Sequence, residues 1–165
     1  MDLHILIVDD EALAAALAEH FRQRLRATIE FLPGALEVLA ALKPYFRLGM
    51  ITNGAPDVQA YKIDLAALRP WFDPIVISGE VGLGKPRRRL FEHAVRLANC
   101  TAGECVMIGN SFNRDVRGAL EAGLHAVWLN LKHAEAPRGN VRFDTIYTLS
   151  ELPAVVFRLA NGVFL

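Results

Sequence analysis

Short β-branched runs alternate along this chain with stretches whose apolar residues recur at helical spacing, and several runs stop at a cluster of polar residues. That rhythm constrains the fold more than any other feature. Strands separated by helices are joined by crossovers, and repeated crossovers build a parallel sheet covered on both faces. Leu3–Val8 opens the series and ends at Asp9-Asp10, and Glu11–Arg26 follows with helical periodicity. Pro33-Gly34 predicts a turn before a helix over Ala35–Leu42, with Leu36, Leu39 and Leu42 on one face. The pattern then predicts a strand at Leu48–Ile51, a helix around Val58–Leu68, a buried strand at Pro74–Ser78 and a helix over Arg89–Ala98. A strand at Cys105–Gly109, a helix over Val116–Ala122 and a last clear strand at His125–Leu129 follow. The tail from Ala134 is less regular, with Thr148–Pro153 opening a terminal helix. The expected architecture is α/β, a three-layer Rossmann-like fold with a mostly parallel central sheet. Leu3–Val8 is expected to lie between the strands ending at Thr52 and Gly109.

At 165 residues, of which 53% are hydrophobic and 22% charged, the chain has the size and composition of one well-packed domain over 1–165. Its 18 basic and 18 acidic residues balance, so no global field draws it to nucleic acid or to an anionic membrane, and neither is expected as a partner. Cys100 and Cys105 are too few and wrongly spaced for a zinc site or a disulfide framework, and two free thiols suit a reducing, cytoplasmic setting. Met1–Val8 is far short of a membrane span and ends in aspartates rather than the small residues of a cleavage site, which argues against secretion.

In an open parallel sheet, ligands bind beyond the carboxyl ends of the strands. Those ends read Asp9-Asp10, Thr52-Asn53-Gly54, Ser78-Gly79-Glu80 and Asn110-Ser111, with Asp115 a few residues on and Lys85 returned to the same edge by a loop. Carboxylates facing a hydroxyl, glycine-exposed amides and one lysine suit phosphoryl transfer. Carboxylates hold a hard cation such as Mg²⁺, one of them attacks phosphorus, and the lysine, hydroxyl and amides neutralise the equatorial oxygens.

The ordered set Leu48–Gly54, Trp71-Phe72-Asp73, Ile77–Gly82, Gly84-Lys85-Pro86, Met107–Ser111 through Asp115 to Gly118-Ala119, Ala122-Gly123 and Trp128-Leu129-Asn130 resembles the haloacid dehalogenase-like superfamily over roughly residues 30–150. The resemblance implies a magnesium-dependent hydrolase, here a phosphomonoesterase acting on a small-molecule phosphate ester. It implies phosphate binding by Thr52, with Asn53 and Gly54 beside it, a phosphate-facing Lys85, and magnesium held at Asn110 and Asp115. The family's first motif, Asp-x-Asp-x-Thr, finds its best match in Asp9-Asp10-Glu11-Ala12-Leu13, making Asp9 the nucleophile and a metal ligand and Glu11 the acid/base, without the threonine. Glu11–Arg26 with Phe31–Ala35 also resembles the last helix of the family's helical cap, a reading on which the chain is truncated and the first motif lost. No segment before Pro33 is long enough for a full cap.

Other readings of the same residues stand beside these. Asn110 keeps an oxygen but no charge, and could simply turn the chain, while Asp115 also suits the start of a helix. Arg87-Arg88-Arg89 reads as a solvated helix start, and the five histidines lack metal-ligand spacing. Ile5–Leu13 resembles the opening of a response-regulator receiver domain, but only across about the first twenty residues and without a phospho-accepting aspartate ending the third strand. The stronger rival is a catalytically silent member of the dehalogenase-like group with a binding or assembly role. The apolar tail, Val155-Val156-Phe157 and Val163-Phe164-Leu165, leaves room for a homo-oligomer.

Overall fold

The computed structural model describes Glu19, His20, Gln23, residues 29–137 and residues 142–162. The chain separates into two compact units, Met1–Glu30 and Phe31–Leu165. In the first, Glu19, His20 and Gln23 are helical; the expected strand at Leu3–Val8, together with Asp9 and Glu11, lies outside the described residues.

The second unit begins with α1 (Ala35–Leu42), entered through Gly34 at φ 78°, and continues through β1 (Met50–Thr52), α2 (Pro56–Leu65) and β2 (Ile75–Ile77). A single helical turn, α3 (Ser78–Val81), precedes α4 (Arg88–Leu97) and β3 (Val106–Gly109). A π-helical segment over Phe112–Arg117 runs into α5 (Gly118–Glu121), followed by β4 (His125–Leu129), β5 (Asp144–Ile146) and α6 (Leu152–Ala160). Among the described residues every strand pairing is parallel: β1 with β2, and β3 with β4 with β5 in that order. No helix among the described residues is long and apolar enough to cross a membrane.

Strand β4 shows why the sheet needs a layer on each face. Successive side chains of a strand point to opposite sides. Val127 and Leu129 pack with Val38 and Leu42 of α1 and with Leu152 and Val156 of α6, whereas Ala126 and Trp128 pack with Phe91 of α4 and with Val116 and Ala119. Ile51 of β1 packs against this second cluster and also against Val76, Leu90 and Ala94. The Arg158 guanidinium bonds Asp144, so an ion pair between half-buried side chains ties α6 to β5.

Most element ends fall within two residues of the expected boundaries, and two depart further. Helix α2 stops at Leu65, three residues short of the expected Leu68. Ala67 turns to φ 50°, its N–H bonding Asp64 O, and Leu68 N–H bonds Ile63 O, a left-handed helix stop built on alanine where glycine is usual. The expected helix over Val116–Ala122 starts earlier, as the π-helical turn in which Val116 N–H reaches back to Ser111 O. Strand β5 falls inside the tail read as irregular. Only three residues long, it leaves too little alternation to register as a period.

Candidate active site

The site is built at the carboxyl ends of β1 and β3. Just beyond β3, Asp115 folds back until its Oδ2 accepts from Ser111 N–H at 2.9 Å. That approach requires Gly109: a Cβ there would run into Asp115 Cβ and sit 2.5 Å from its Cγ and Oδ2. Gly118 serves the layer beneath, since a Cβ on it would lie 2.7 Å from the Phe91 ring and 2.8 Å from Pro86 O.

Lys85 reaches the same place from the loop before α4. Its Nζ donates to Ile51 O of β1 at 3.0 Å and lies 2.8 Å from Asp115 Oδ1. The two side chains are only 12% and 7% exposed, so this is a desolvated ion pair and not a solvated loop lysine. An ammonium has three donors, and these two contacts leave a third for an anion. The backbone of Lys85 is fixed just as firmly. Asn53 Nδ2 donates to Lys85 O at 3.0 Å, and Lys85 N–H donates to Asn53 Oδ1 at 2.8 Å.

Thr52 ends β1 half-buried, its Oγ1 donating to Gln59 Oε1 over 3.3 Å, while Gln59 Nε2 donates to Asn53 O at 3.1 Å. Gly54 N–H is bonded to Ser78 Oγ at 2.9 Å, and Gly79 N–H to Gly54 O at 3.1 Å. Lys85 and Asp115 thus meet, Thr52 stands at the end of β1 one residue after the Ile51 carbonyl that Lys85 bonds, and the side chain of Asn53 and the amide of Gly54 are engaged in these internal bonds. Asn110 is exposed after β3, its carbonyl accepting from Trp128 Nε1 at 3.2 Å. Gln59 is the site residue that sequence reasoning passed over, while Ser78 was placed at the rim without the bond its hydroxyl makes to Gly54. Gln59 had one signal, a polar residue in the second turn of the helix that follows β1.

Mg²⁺ needs oxygen donors, and this rim supplies them. Asp115 Oδ1 accepts from Lys85 and Oδ2 from Ser111, each oxygen keeping a further lone pair, and Asn110 adds a side-chain carbonyl. The donor chemistry of Asp115 and Asn110 fits a hard divalent cation; Asp9, the third ligand expected from the sequence, lies outside the described residues. Among the described residues no three His, Cys, Asp or Glu side chains form a metal cluster by themselves.

Parallel strands covered on both faces, with a buried lysine–aspartate pair, a threonine and an oxygen-rich rim at their carboxyl ends, define an α/β core of the Rossmann-like type. Residues 3–123 match the model of the haloacid dehalogenase-like hydrolases, and the chain belongs to that family. Over 122 residues it is 38% identical to the pyrimidine 5'-nucleotidase YjjG of Escherichia coli, a match covering 73% of this chain and 54% of that protein. It is 42% identical over 119 residues to the phosphoserine phosphatase of Thermus thermophilus, covering 71% and 47%. Among solved structures it resembles the magnesium-bound HAD-hydrolase YfnB of Bacillus subtilis with a TM-score of 0.76 at 27% identity, covering 90% of this chain and 65% of that one. The chain therefore spans about half the length of the curated relatives it matches.

Proposed function

We propose that this chain is the core of a magnesium-dependent phosphomonoesterase working through an aspartyl-phosphate on Asp9. The observation that carries the reading is the Lys85 ammonium, held by Ile51 O and Asp115 beside Thr52 with one N–H to spare. Family relatives that are named phosphatases support it, as does a family match that begins at residue 3 and so takes in Asp9 and Glu11.

On this reading Lys85 and Thr52 hold the phosphoryl oxygens and neutralise the charge that spreads over them in the transition state. Asp9 attacks phosphorus and the P–O bond to the leaving alcohol breaks. Glu11 gives that alcohol a proton and later takes one from the water that hydrolyses the acyl phosphate. Asp9, Asn110 and Asp115 would hold Mg²⁺, which when bound supplies positive charge to the phosphoryl group and to the attacking carboxylate. The substrate is a small-molecule phosphate ester in a cytoplasmic setting; Val155, Val156 and Phe157 pack into this chain's own core, so they do not supply the homo-oligomer contact the sequence suggested.

Hydrolysis of an aryl phosphate tests the reading. Slow turnover with Mg²⁺, and none after chelation, is expected. No turnover by the pure protein overturns it and leaves the silent binding or assembly role, while metal-independent turnover overturns the magnesium-dependent mechanism.

A further inference from the structure

The two cysteines stand apart from the rim, and local structure brings them together. Helix α4 ends in a left-handed stop: Asn99 adopts φ 53°, its N–H bonding Arg96 O, and Cys100 N–H bonds Val95 O. Cys100 is thereby folded back along the helix end, with Sγ 3.6 Å from Val95 O. The next residues form a capping box, in which the Glu104 carboxylate accepts from Thr101 N–H at 2.8 Å and from Thr101 Oγ1 at 2.7 Å. That tight turn closes the connection to β3 and sets Cys105 at its entrance, with Sγ 3.3 Å from Thr101 O. Two independent turn signals thus place the sulfurs 3.0 Å apart, roughly 1 Å beyond a sulfur–sulfur bond of about 2.05 Å. Both residues are free thiols and half-buried, so a small oxidant can reach them.

We infer that Cys100 and Cys105 are a reversible dithiol–disulfide site, oxidised by a small disulfide such as oxidised glutathione, that staples the end of α4 to the start of β3. The Cys105 thiol is pushed up to about 12 by burial and then by the Cys100 thiol beside it, so it holds its proton and Cys100 makes the first attack. The Cys100 thiolate attacks one sulfur of the oxidant, whose other half leaves as a thiolate and takes up a proton. Cys105 then attacks the Cys100 sulfur of the mixed disulfide, releasing its own proton as the second thiolate leaves. In all, two protein thiols and one glutathione disulfide give one protein disulfide and two glutathione thiols. The staple lies at the opposite end of β3 from Asp115, so it forms without touching the residues that hold phosphate.

Full-length protein incubated with oxidised glutathione, then measured by intact mass and non-reducing peptide mapping, tests the site. A monomer lighter by two hydrogens, with a Cys100–Cys105 cross-linked peptide that dithiothreitol releases, is expected. Cys105→Ser should instead retain one glutathione on Cys100. A persistent glutathione adduct on the unsubstituted protein, a disulfide-linked dimer, no mass change, or a Cys105→Ser protein that takes up no glutathione overturns the proposal.

Discussion

Lys85 Nζ lies 2.8 Å from Asp115 Oδ1, and through that contact the loop before α4 meets the turn after β3. Both side chains are nearly closed off from water, so neither charge can be removed without stranding the other. Lys85→Ala should cost about 3–5 kcal/mol in denaturant unfolding, in the manner of a buried pair broken on one side. Lys85→Ala with Asp115→Asn should recover part of that loss, and strictly additive single and double variants would show the two residues to be uncoupled.

Gly109 sets the position of the same carboxylate. Gly109→Ala should push Asp115 out of register and lower phosphatase activity roughly 100-fold, the effect of misplacing a reacting geometry by about 1 Å. Gly103→Ala is the matched control, because nothing lies within 4 Å of a Cβ built there. A Gly109→Ala enzyme as active as the control would count against the role given to Asp115.

The positions of Thr52, which ends β1, and of Lys85 and Asp115, which follow β2 and β3 at several residues' distance within recognisable motifs, were legible in the sequence. Their bonding was not. Asn53 answers Lys85 across 32 residues and Gly54 answers Ser78 across 24, and no spacing rule sees partners so far apart. The fold divided in the same way. Ala35–Leu42 and His125–Leu129 appear with the predicted bounds because periodicity marks them from both ends. The stop at Ala67 rests on a left-handed alanine that no glycine announces, and the brief strand Asp144–Ile146 depends on its pairing with β4.

Magnesium affinity should report on Asn110. Asn110→Asp adds a charge to an all-oxygen donor set, so calorimetric titration should give a lower Kd than the parent. Asp9→Asn should abolish turnover with the fold intact by circular dichroism. A variant at residue 9 as active as the parent would remove Asp9 as nucleophile.

Acid stability should depend on the cap of the last helix. Glu151 accepts from the Thr148 hydroxyl and from the amides of Tyr147 and Thr148, and the hydroxyl bond first and the amides next hold its carboxyl below the usual glutamate value. A carboxyl lowered on folding contributes stability that is present above its unfolded pKa and fades as pH falls through its folded one. Glu151→Gln should therefore unfold more readily than the parent at neutral pH, with the difference shrinking toward strongly acidic pH. A difference that stays constant across this range would mean that the carboxylate is not the source.

Because Asn53 grips the backbone of Lys85 at both its N–H and its carbonyl, the lysine is anchored from the β1 side, independently of the arginines that come after it. Arg87, Arg88 and Arg89 are exposed, so their charges can be rewritten without moving the ammonium. Descendants of this sequence can thus vary what that surface attracts while Lys85 stays put, and an engineer can reverse its polarity with the same freedom.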